Sequence, residues 1–241
     1  LGIVQTLNRL SYNSALSHTR KLILPLGDDA KVVGARQLHS SQWGLIDPVD
    51  TPDGGNVGLH KHFAISAHIS VASSRKPLLS WLMEKGIKPI ELVEPRDIVG
   101  HTKVLVNGAW IGITHEPDVI SAGIKKARRY GAIPIHISCY WAIAEQILYL
   151  SSDGGRLMRP LFYVTPEGKS SATTDRELQT WTQLLTGKSE VPTNYCTEVS
   201  GEPGIIEMID TAEAESLLVA DEEETIKGTR FTNIEICSSF L

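Results

Sequence analysis

The clearest pattern of hydrophobic residues lies from residue 103 to 113, where two short apolar runs flank Asn107 and Gly108. An Asn-Gly pair in this position supplies the positive φ angles of a type I′ turn, so the pattern predicts a β-hairpin. Further apolar runs bounded by turn residues predict strands over residues 133–139, 146–151 and 157–164. These runs indicate the sheet of a mixed domain.

Helical spacing of apolar residues predicts two helices around these strands. The first covers residues 76–85 and stops at Gly86, because glycine readily adopts the left-handed conformation that ends helices. The second starts at Thr114, has Pro117 near its first turn and ends at Gly131. Its apolar residues share one side, and the other side holds the basic residues Lys125, Lys126, Arg128 and Arg129.

The N-terminal part of the chain is predicted to be rich in loops. Apolar residues at helical spacing predict one or two helices in residues 1–19, and turn residues then predict an exposed loop over residues 22–34. Residues 36–58 contain too many Gly, Pro and Asp residues for a long regular element, but their large apolar residues argue against disorder. A structured loop is therefore expected there. Residues 63–72 fit a buried strand or a short helix equally well.

Composition places the chain among folded proteins. The 241 residues are 41% hydrophobic and 21% charged, which is enough for one large or two small cores. The apolar runs fall far short of the ~20 residues of a membrane-spanning helix, so no membrane association is expected. The three cysteines lie 57 and 41 residues apart, which matches neither a metal-ligand spacing nor a disulfide framework and favours a reducing compartment.

The net charge of −5 is distributed unevenly along the chain. Residues 1–75 carry 7 Lys or Arg against 5 Asp or Glu, residues 76–174 carry 12 against 9, and residues 175–241 carry 4 against 14. The last third is therefore expected to repel nucleic acid, whereas the first two thirds can contact it. Basic residues that can follow a phosphate backbone or simply face solvent recur near the N-terminus: Arg9, Arg20, Lys21, Lys31 and Arg36.

Two other kinds of site have the right residue types but the wrong pattern. His60, His62 and His68 could bind a metal, but no Cys, Asp or Glu lies within five residues, so ordinary polar surface is expected. His39 and Asp47 could belong to a small hydrolase with a Ser-His-Asp triad, yet no Gly-x-Ser-x-Gly motif surrounds any serine. Neither a metal site nor a hydrolase is therefore predicted.

Three carboxylates spaced three residues apart, those of Asp47, Asp50 and Asp53, could hold a divalent cation. The prolines on either side of Asp50 indicate turn-capping roles instead. The glycine-rich residues 54–58 that follow lack the Lys-Ser/Thr pair of a phosphate-binding loop, so no nucleotide cradle is predicted there.

Several longer segments identify a family. VQTLNRLSYNSALSHTRK (4–21), RQLHSSQWG (36–44) and DTPDGGNVGL (50–59) resemble the fork region of the second-largest subunit of multisubunit DNA-directed RNA polymerases. The resemblance continues in register through residues 104–112, 153–162, 204–219 and 231–236. Matches of this length are highly specific, so the chain is identified as an internal fragment of such a subunit, of eukaryotic or large-DNA-virus type.

The resemblance implies an α+β, multi-domain fragment, in which a loop-rich helical fork precedes two small mixed α/β external domains. The expected boundaries are 1–74 for the fork, 75–170 for external domain 1, 171–226 for external domain 2, and 227–241 for the start of the hybrid-binding region. The fork is expected to support downstream DNA, the RNA–DNA hybrid and the active centre during template-directed RNA synthesis. Its loop over residues 22–34 is expected to lie against downstream DNA.

The same resemblance implies a set of site residues and no catalytic residue within the fragment, which is expected to be inactive alone. The expected nucleic-acid-binding residues are Arg20, Lys21, Lys31 and Arg36, and those close to the active centre are Gln37, His39, Asp50 and Asp53. In this family Mg²⁺ serves nucleotidyl transfer and is held mainly by the largest subunit. The fragment itself is expected to bind no metal.

The implied partners are the largest subunit and other polymerase subunits, the DNA template, the RNA transcript and nucleoside triphosphates, without a membrane. The implied location is the nucleus for a cellular protein, and the host nucleus or a cytoplasmic virus factory for a viral one. Asp50 and Asp53 stand where the family usually has Glu, and Ala35 where it usually has Pro, departures typical of a divergent lineage. The alternative function is a stand-alone nucleic-acid-binding module without polymerase activity.

Overall fold

The computed structural model describes residues 4–26, 31–173, 180–188, 201–220, 223–226 and 233–235. These residues form two compact units that divide between His68 and Ile69. Helices and strands are mixed along the chain, which confirms the predicted α+β class. Among the described helices, none has the length and apolar character that crossing a membrane requires.

Among its described residues, the first unit contains one α-helix and a two-stranded sheet. Helix α1 (Tyr12–Thr19) starts after Ser11, whose side-chain oxygen accepts a hydrogen bond from Ser14 N at 3.1 Å. Strands β1 (Lys21–Ile23) and β2 (His60–His62) pair antiparallel. The exposed loop predicted from residue 22 therefore starts later, because the first two of its residues pair with β2.

The remainder of the first unit is irregular but ordered, which confirms the structured loop predicted over residues 36–58. Short 3₁₀ helices interrupt it at Gly34–Arg36, Ser40–Gln42 and Gly54–Asn56. Residues 63–72, for which the sequence left strand and helix open, contain one short strand, β3 (His68–Ile69).

A five-stranded sheet forms the first half of the second unit. Its strands are β4 (Lys88–Pro89), β5 (Thr102–Val106), β6 (Ala109–Thr114), β7 (Ser138–Ala142) and β8 (Ile147–Ser151), in the order β4-β6-β5-β8-β7. The predicted hairpin is β5–β6, with Asn107 at φ 50° and Gly108 at φ 77°. The β5–β8 pair is parallel and the other pairs are antiparallel.

Two helices contribute to the core of this sheet. Helix α2 (Arg75–Glu84) buries Leu78, Trp81 and Leu82, and helix α3 (Pro117–Arg129) buries Ile120 and Ile124. Both predicted helices are confirmed, although α3 starts three residues later than predicted.

The strand predicted over residues 133–139 starts only at Ser138. Before it the chain turns, because Ile137 N donates a hydrogen bond to Pro134 O at 3.1 Å and cannot join a ladder there. Ile133 and Ile137 are still buried in the core, so their apolar character reflects burial and not strand pairing.

A second sheet completes the second unit. Four of its five strands are β9 (Leu157–Tyr163), β10 (Ile206–Asp210), β11 (Val219–Ala220) and β12 (Asn233–Glu235), in the order β10-β9-β12-β11. Helices α4 (Trp181–Thr186) and α5 (Thr211–Glu215) accompany it. Met158, Met208 and Leu185 form a core between this sheet and α4.

Buried charges connect the two halves of the second unit. Arg128 of α3, predicted on the polar side of its helix, is only 1% exposed and pairs with Glu213 of α5. The reason is tertiary, because α5 and β10 cover this side of α3 and supply carboxylates. Nearby, Arg156 donates to Asp210 Oδ2 at 2.6 Å and to Ser138 Oγ at 2.8 Å.

Cys139 lies in this buried region, and burial raises the pKa of its thiol to about 11, from 9.0. We expect native Cys139 to react with a disulfide reagent at pH 8 about a hundredfold more slowly than in the unfolded chain, because the thiolate is scarcer. Stopped-flow labelling of a variant whose other two cysteines are serine measures this. Equal labelling rates in the folded and unfolded chains would contradict the expectation.

The raised pKa of Cys139 also makes the stability of the fold depend on pH. It contributes stability below pH 9 that is lost as pH rises towards 11.

Candidate functional site

The eight residues predicted to contact nucleic acid or lie near an active centre all belong to the first unit. Five of them are exposed: Lys31, Gln37, His39, Asp50 and Asp53. Three are half-buried: Arg20, Lys21 and Arg36. Their hydrogen bonds separate residues that hold the loops in place from residues whose side chains face outward.

The two arginines hold backbone segments together. Arg20 Nη2 donates to the carbonyl oxygen of Ala64 at 2.6 Å. Arg36 Nη1 donates to the carbonyl oxygens of Gly55 and Val57 at 2.6 and 3.0 Å. These internal contacts set the position of each guanidinium.

Lys21 lies at a polar depression of about 410 Å³ beside α1. The His18 ring closes one side, because its Nδ1 accepts from Asn8 N at 3.1 Å and its Nε2 therefore donates to Gln5 Oε1 at 2.7 Å. The lining residues offer amide, hydroxyl and ammonium donors and no carboxylate: Asn8, Asn13, Ser14, Ser17, His18 and Lys21. Such a lining suits an anionic group.

Lys31 is exposed at the end of the loop that resembles the fork loop. Residues 27–30 of that loop lie outside the described residues. The phosphate contact predicted for Lys31 stays a prediction.

Asp50 and Asp53 share one segment, residues 47–58, which we call the 47–58 turn. Asp50 Oδ2 lies 3.0 Å from Nδ1 of His62 on β2. Thr51 Oγ1 donates to His60 O at 3.0 Å and accepts from Gly58 N at 2.8 Å. Asp53 is exposed and does not cap the 3₁₀ helix that follows it, so its carboxylate remains on the outer side of the turn.

The contacts of His39 and Asp47 favour turn formation over hydrolysis. His39 Nδ1 accepts from Ser41 N at 3.2 Å and lies 2.8 Å from Ser41 Oγ, so the ring caps a 3₁₀ helix. Asp47 is buried, and its Oδ1 accepts from the amides of Val49 and Asp50 at 2.9 and 3.4 Å. The predicted turn-capping role of Asp47 is confirmed.

Across the residues that the structure describes, no three His, Cys, Asp or Glu side chains are grouped so that they could hold a metal ion. The structure links Arg36 and Asp50 through the 47–58 turn and places Lys21 opposite His62 in the β1–β2 ladder. Gln37 is exposed at the end of a 3₁₀ helix.

Sequence reasoning missed the part of His62 in this site. It was predicted to be ordinary polar surface, but the residue is only 9% exposed and contacts Asp50. The apolar residues Phe63 and Ala64, which directly follow His62, are a weak signal of burial. No local pattern identifies a partner twelve residues away.

Two family models match the chain. The model described as RNA polymerase Rpb2, domain 3 matches residues 5–69, which include all eight candidate residues, and RNA polymerase Rpb2, domain 4 matches residues 104–165. The two matches fall in the first and second units respectively, apart from one residue of the first match.

Relatives are similar along nearly the whole chain. DNA-directed RNA polymerase II subunit RPB2 of Meyerozyma guilliermondii is 33% identical over 241 residues, which cover 95% of this chain and 20% of the relative. DNA-directed RNA polymerase II subunit 2 of Arabidopsis thaliana is 34% identical, covering 91% and 18%. DNA-directed RNA polymerase III subunit RPC2 of Drosophila melanogaster is 30% identical, covering 98% and 20%.

The chain thus spans about a fifth of the length of the curated relatives it matches. Both family models describe domains of the same subunit, Rpb2. The similarity to the relatives also covers the residues between and beyond the two matched domains. The resemblance noted in the sequence is confirmed: the chain belongs to the Rpb2 family of second-largest RNA polymerase subunits.

Proposed function

We propose that the chain acts within DNA-directed RNA polymerase, where its first unit supports downstream DNA, the RNA–DNA hybrid and the active centre during template-directed RNA synthesis. The observation that carries this proposal is the match of residues 5–69 to RNA polymerase Rpb2, domain 3, which contains every candidate site residue. The partners would be the largest subunit, other polymerase subunits, DNA, RNA and nucleoside triphosphates. In a cellular organism the assembly would work in the nucleus.

The reaction would be nucleotidyl transfer, in which Mg²⁺ ions stabilise the charge on the attacking and leaving oxygens. The described residues of this chain do not fit a Mg²⁺ site. Asp50 is engaged by His62, Asp47 by backbone amides, and no group of three ligands is present among the described side chains. We propose that the metal is held mainly by the largest subunit, and we assign the described residues of this chain no step in the transfer.

The contribution of this chain is instead to position nucleic acid. Lys21 and Lys31 would bind backbone phosphates, Lys21 with the donors of the polar depression. Arg20 and Arg36 would hold the loops from which these contacts are made, and their positive charge would favour phosphate nearby. Gln37, His39, Asp50 and Asp53 would lie towards the incoming nucleotide and position their neighbours without transferring protons.

We expect the complete polymerase with Lys21→Gln and Lys31→Gln to form less stable elongation complexes with a weaker dependence on salt. Each phosphate contact that is lost lowers the slope of log K against log[salt] by about 0.7–0.9, so two contacts lower it by about 1.5. The dissociation of elongation complexes between 50 and 300 mM KCl measures this. Lys85→Gln, an exposed lysine of the second unit, is the matched control. An unchanged slope in the double variant would exclude phosphate contacts by these lysines.

A further inference from the structure

We propose that His62 is a positioning residue for the 47–58 turn, which its imidazole fastens through Asp50. The inference rests on the proposed function in one respect, namely that this turn lies beside the active centre. It goes further by naming the side chain that sets the orientation of Asp50.

One ring nitrogen of His62 makes two contacts with a single residue. Nδ1 lies 3.0 Å from Oδ2 of Asp50 and 3.1 Å from the carbonyl oxygen of Asp50. Both partners are acceptors, so Nδ1 must carry a hydrogen and donate it. The imidazole therefore fixes the carboxylate and the backbone of Asp50 together, which a contact with the carboxylate alone would not do.

The backbone of His62 holds the other end of the same short segment. Its carbonyl oxygen accepts from Asp47 N at 2.9 Å, and the residue is paired with Lys21 in the β1–β2 ladder. Asp47 and Asp50 are thus both attached to one residue of a strand. A strand residue held by a ladder is a firmer support than a loop residue, because its backbone is already constrained.

The second ring nitrogen of His62, Nε2, indicates that an imidazole at this position costs stability. Nε2 of His62 is buried and has no hydrogen-bond partner among the described residues. An unsatisfied buried nitrogen destabilises the fold, so the ring is not explained by stability alone. Asparagine would offer an amide donor at the position of Nδ1 and would leave no buried nitrogen in place of Nε2.

The remaining contacts divide the turn into a part that His62 controls and a part that it does not. Thr51 contacts His60 O and Gly58 N, and Arg36 contacts Gly55 and Val57, so the far end is held independently. The side chain of Asp50 is 55% exposed, so its second carboxylate oxygen can face a partner. Loss of the imidazole should therefore release Asp50 without unfolding the part of the turn from Thr51 onward.

The test uses the complete polymerase carrying His62→Leu, His62→Asn, Asp50→Ala, or His62→Leu together with Asp50→Ala. A hydrogen bond to a charged group is strong enough that we expect His62→Leu to slow single-nucleotide addition about tenfold, with His62→Asn close to the wild-type rate. If the two residues act as a pair, the double variant should be no slower than the slower single variant. His60→Leu, on the same strand, removes an imidazole that does not contact Asp50 and is the matched control.

Electron cryo-microscopy of the same polymerases separates this inference from the proposed function. The inference expects residues 49 and 50 displaced in His62→Leu and restored in His62→Asn. Displacement with normal rates in His62→Leu, Asp50→Ala and Asp53→Asn would remove the turn from the active centre but leave the positioning role. An undisplaced turn in His62→Leu, an Asn variant as slow as the Leu variant, or additive rate losses in the double variant would overturn the inference.

Discussion

Replacing Glu213 with alanine is expected to lower the free energy of unfolding of the second unit by about 3–5 kcal/mol. Glu213 is fully buried, and its two oxygens accept from Nη1 and Nη2 of Arg128 at 2.9 and 3.0 Å. Although burial disfavours the charged form, the carboxylates of Glu213 and Glu207 raise the pKa of Arg128 above its usual value. Without Glu213 the buried guanidinium keeps its charge and retains one weaker carboxylate contact, at 3.5 Å.

Chemical denaturation of the 241-residue chain, followed by tryptophan fluorescence, measures this loss. Glu215→Ala is the matched control, because Glu215 lies on the same helix but is exposed, and it should change stability by less than about 0.5 kcal/mol. Replacing both partners, by Arg128→Met with Glu213→Leu, should recover much of the loss, because no unpaired charge is then buried. If Glu213→Ala and Glu215→Ala lowered the free energy of unfolding equally, the buried Arg128–Glu213 pair would not be what stabilises the second unit.

Gly58→Ala is expected to destabilise the first unit by about 2–4 kcal/mol and to loosen the 47–58 turn. Gly58 has φ +73°, a conformation that costs other L-residues roughly 1–2 kcal/mol. A Cβ there would also lie 2.4 Å from the carbonyl oxygen of Arg36 and 2.7 Å from its Cα. Because these atoms belong to the backbone, the turn and the Arg36 segment must move apart.

Gly54→Ala separates the two causes. Gly54 has φ +84°, but a Cβ there would have no atom within 4 Å, so this variant carries the conformational cost alone. Hydrogen exchange followed by mass spectrometry should show faster exchange over residues 36–58 in Gly58→Ala than in Gly54→Ala. Equal exchange in the two variants would mean that the close approach to Arg36 contributes nothing.

The buried ion pairs of α3 connect the two sheets of the second unit. Arg128 and Arg129 of α3 reach Glu207 on β10, and Arg128 also donates to Ile137 O at 3.0 Å, just before β7. Directional contacts of this kind constrain orientation as well as distance, unlike apolar packing. The second unit is therefore expected to respond as one body when α5 is disturbed.

Local elements of the second unit could be predicted because their causes are local. The β5–β6 hairpin follows from two adjacent residues that adopt positive φ, and α2 follows from leucine spacing and Gly86. The strand predicted from residue 133 was wrong because periodicity reports burial, and Ile133 and Ile137 are buried in a turn.

The candidate site was predictable in its location and less so in its contacts. Three long segments that resemble the family contain seven of the eight residues, and Lys31 lies between two of them; the family match to residues 5–69 covers all eight. Nothing in those segments shows that Arg20 and Arg36 spend part of their donors on backbone carbonyls 44, 19 and 21 residues away. Such partners depend on how loops pass one another in space.

By itself the sequence determined the family, the α+β class and the hairpin, because a recognisable order of side chains and a two-residue turn need no distant partner. The tertiary structure alone decided that Arg128 is buried against Glu213, 85 residues later, and that His62 fastens Asp50. A charged or imidazole side chain has the same local pattern whether it faces water or a carboxylate. Only the packing of remote segments supplies the partner and removes the water.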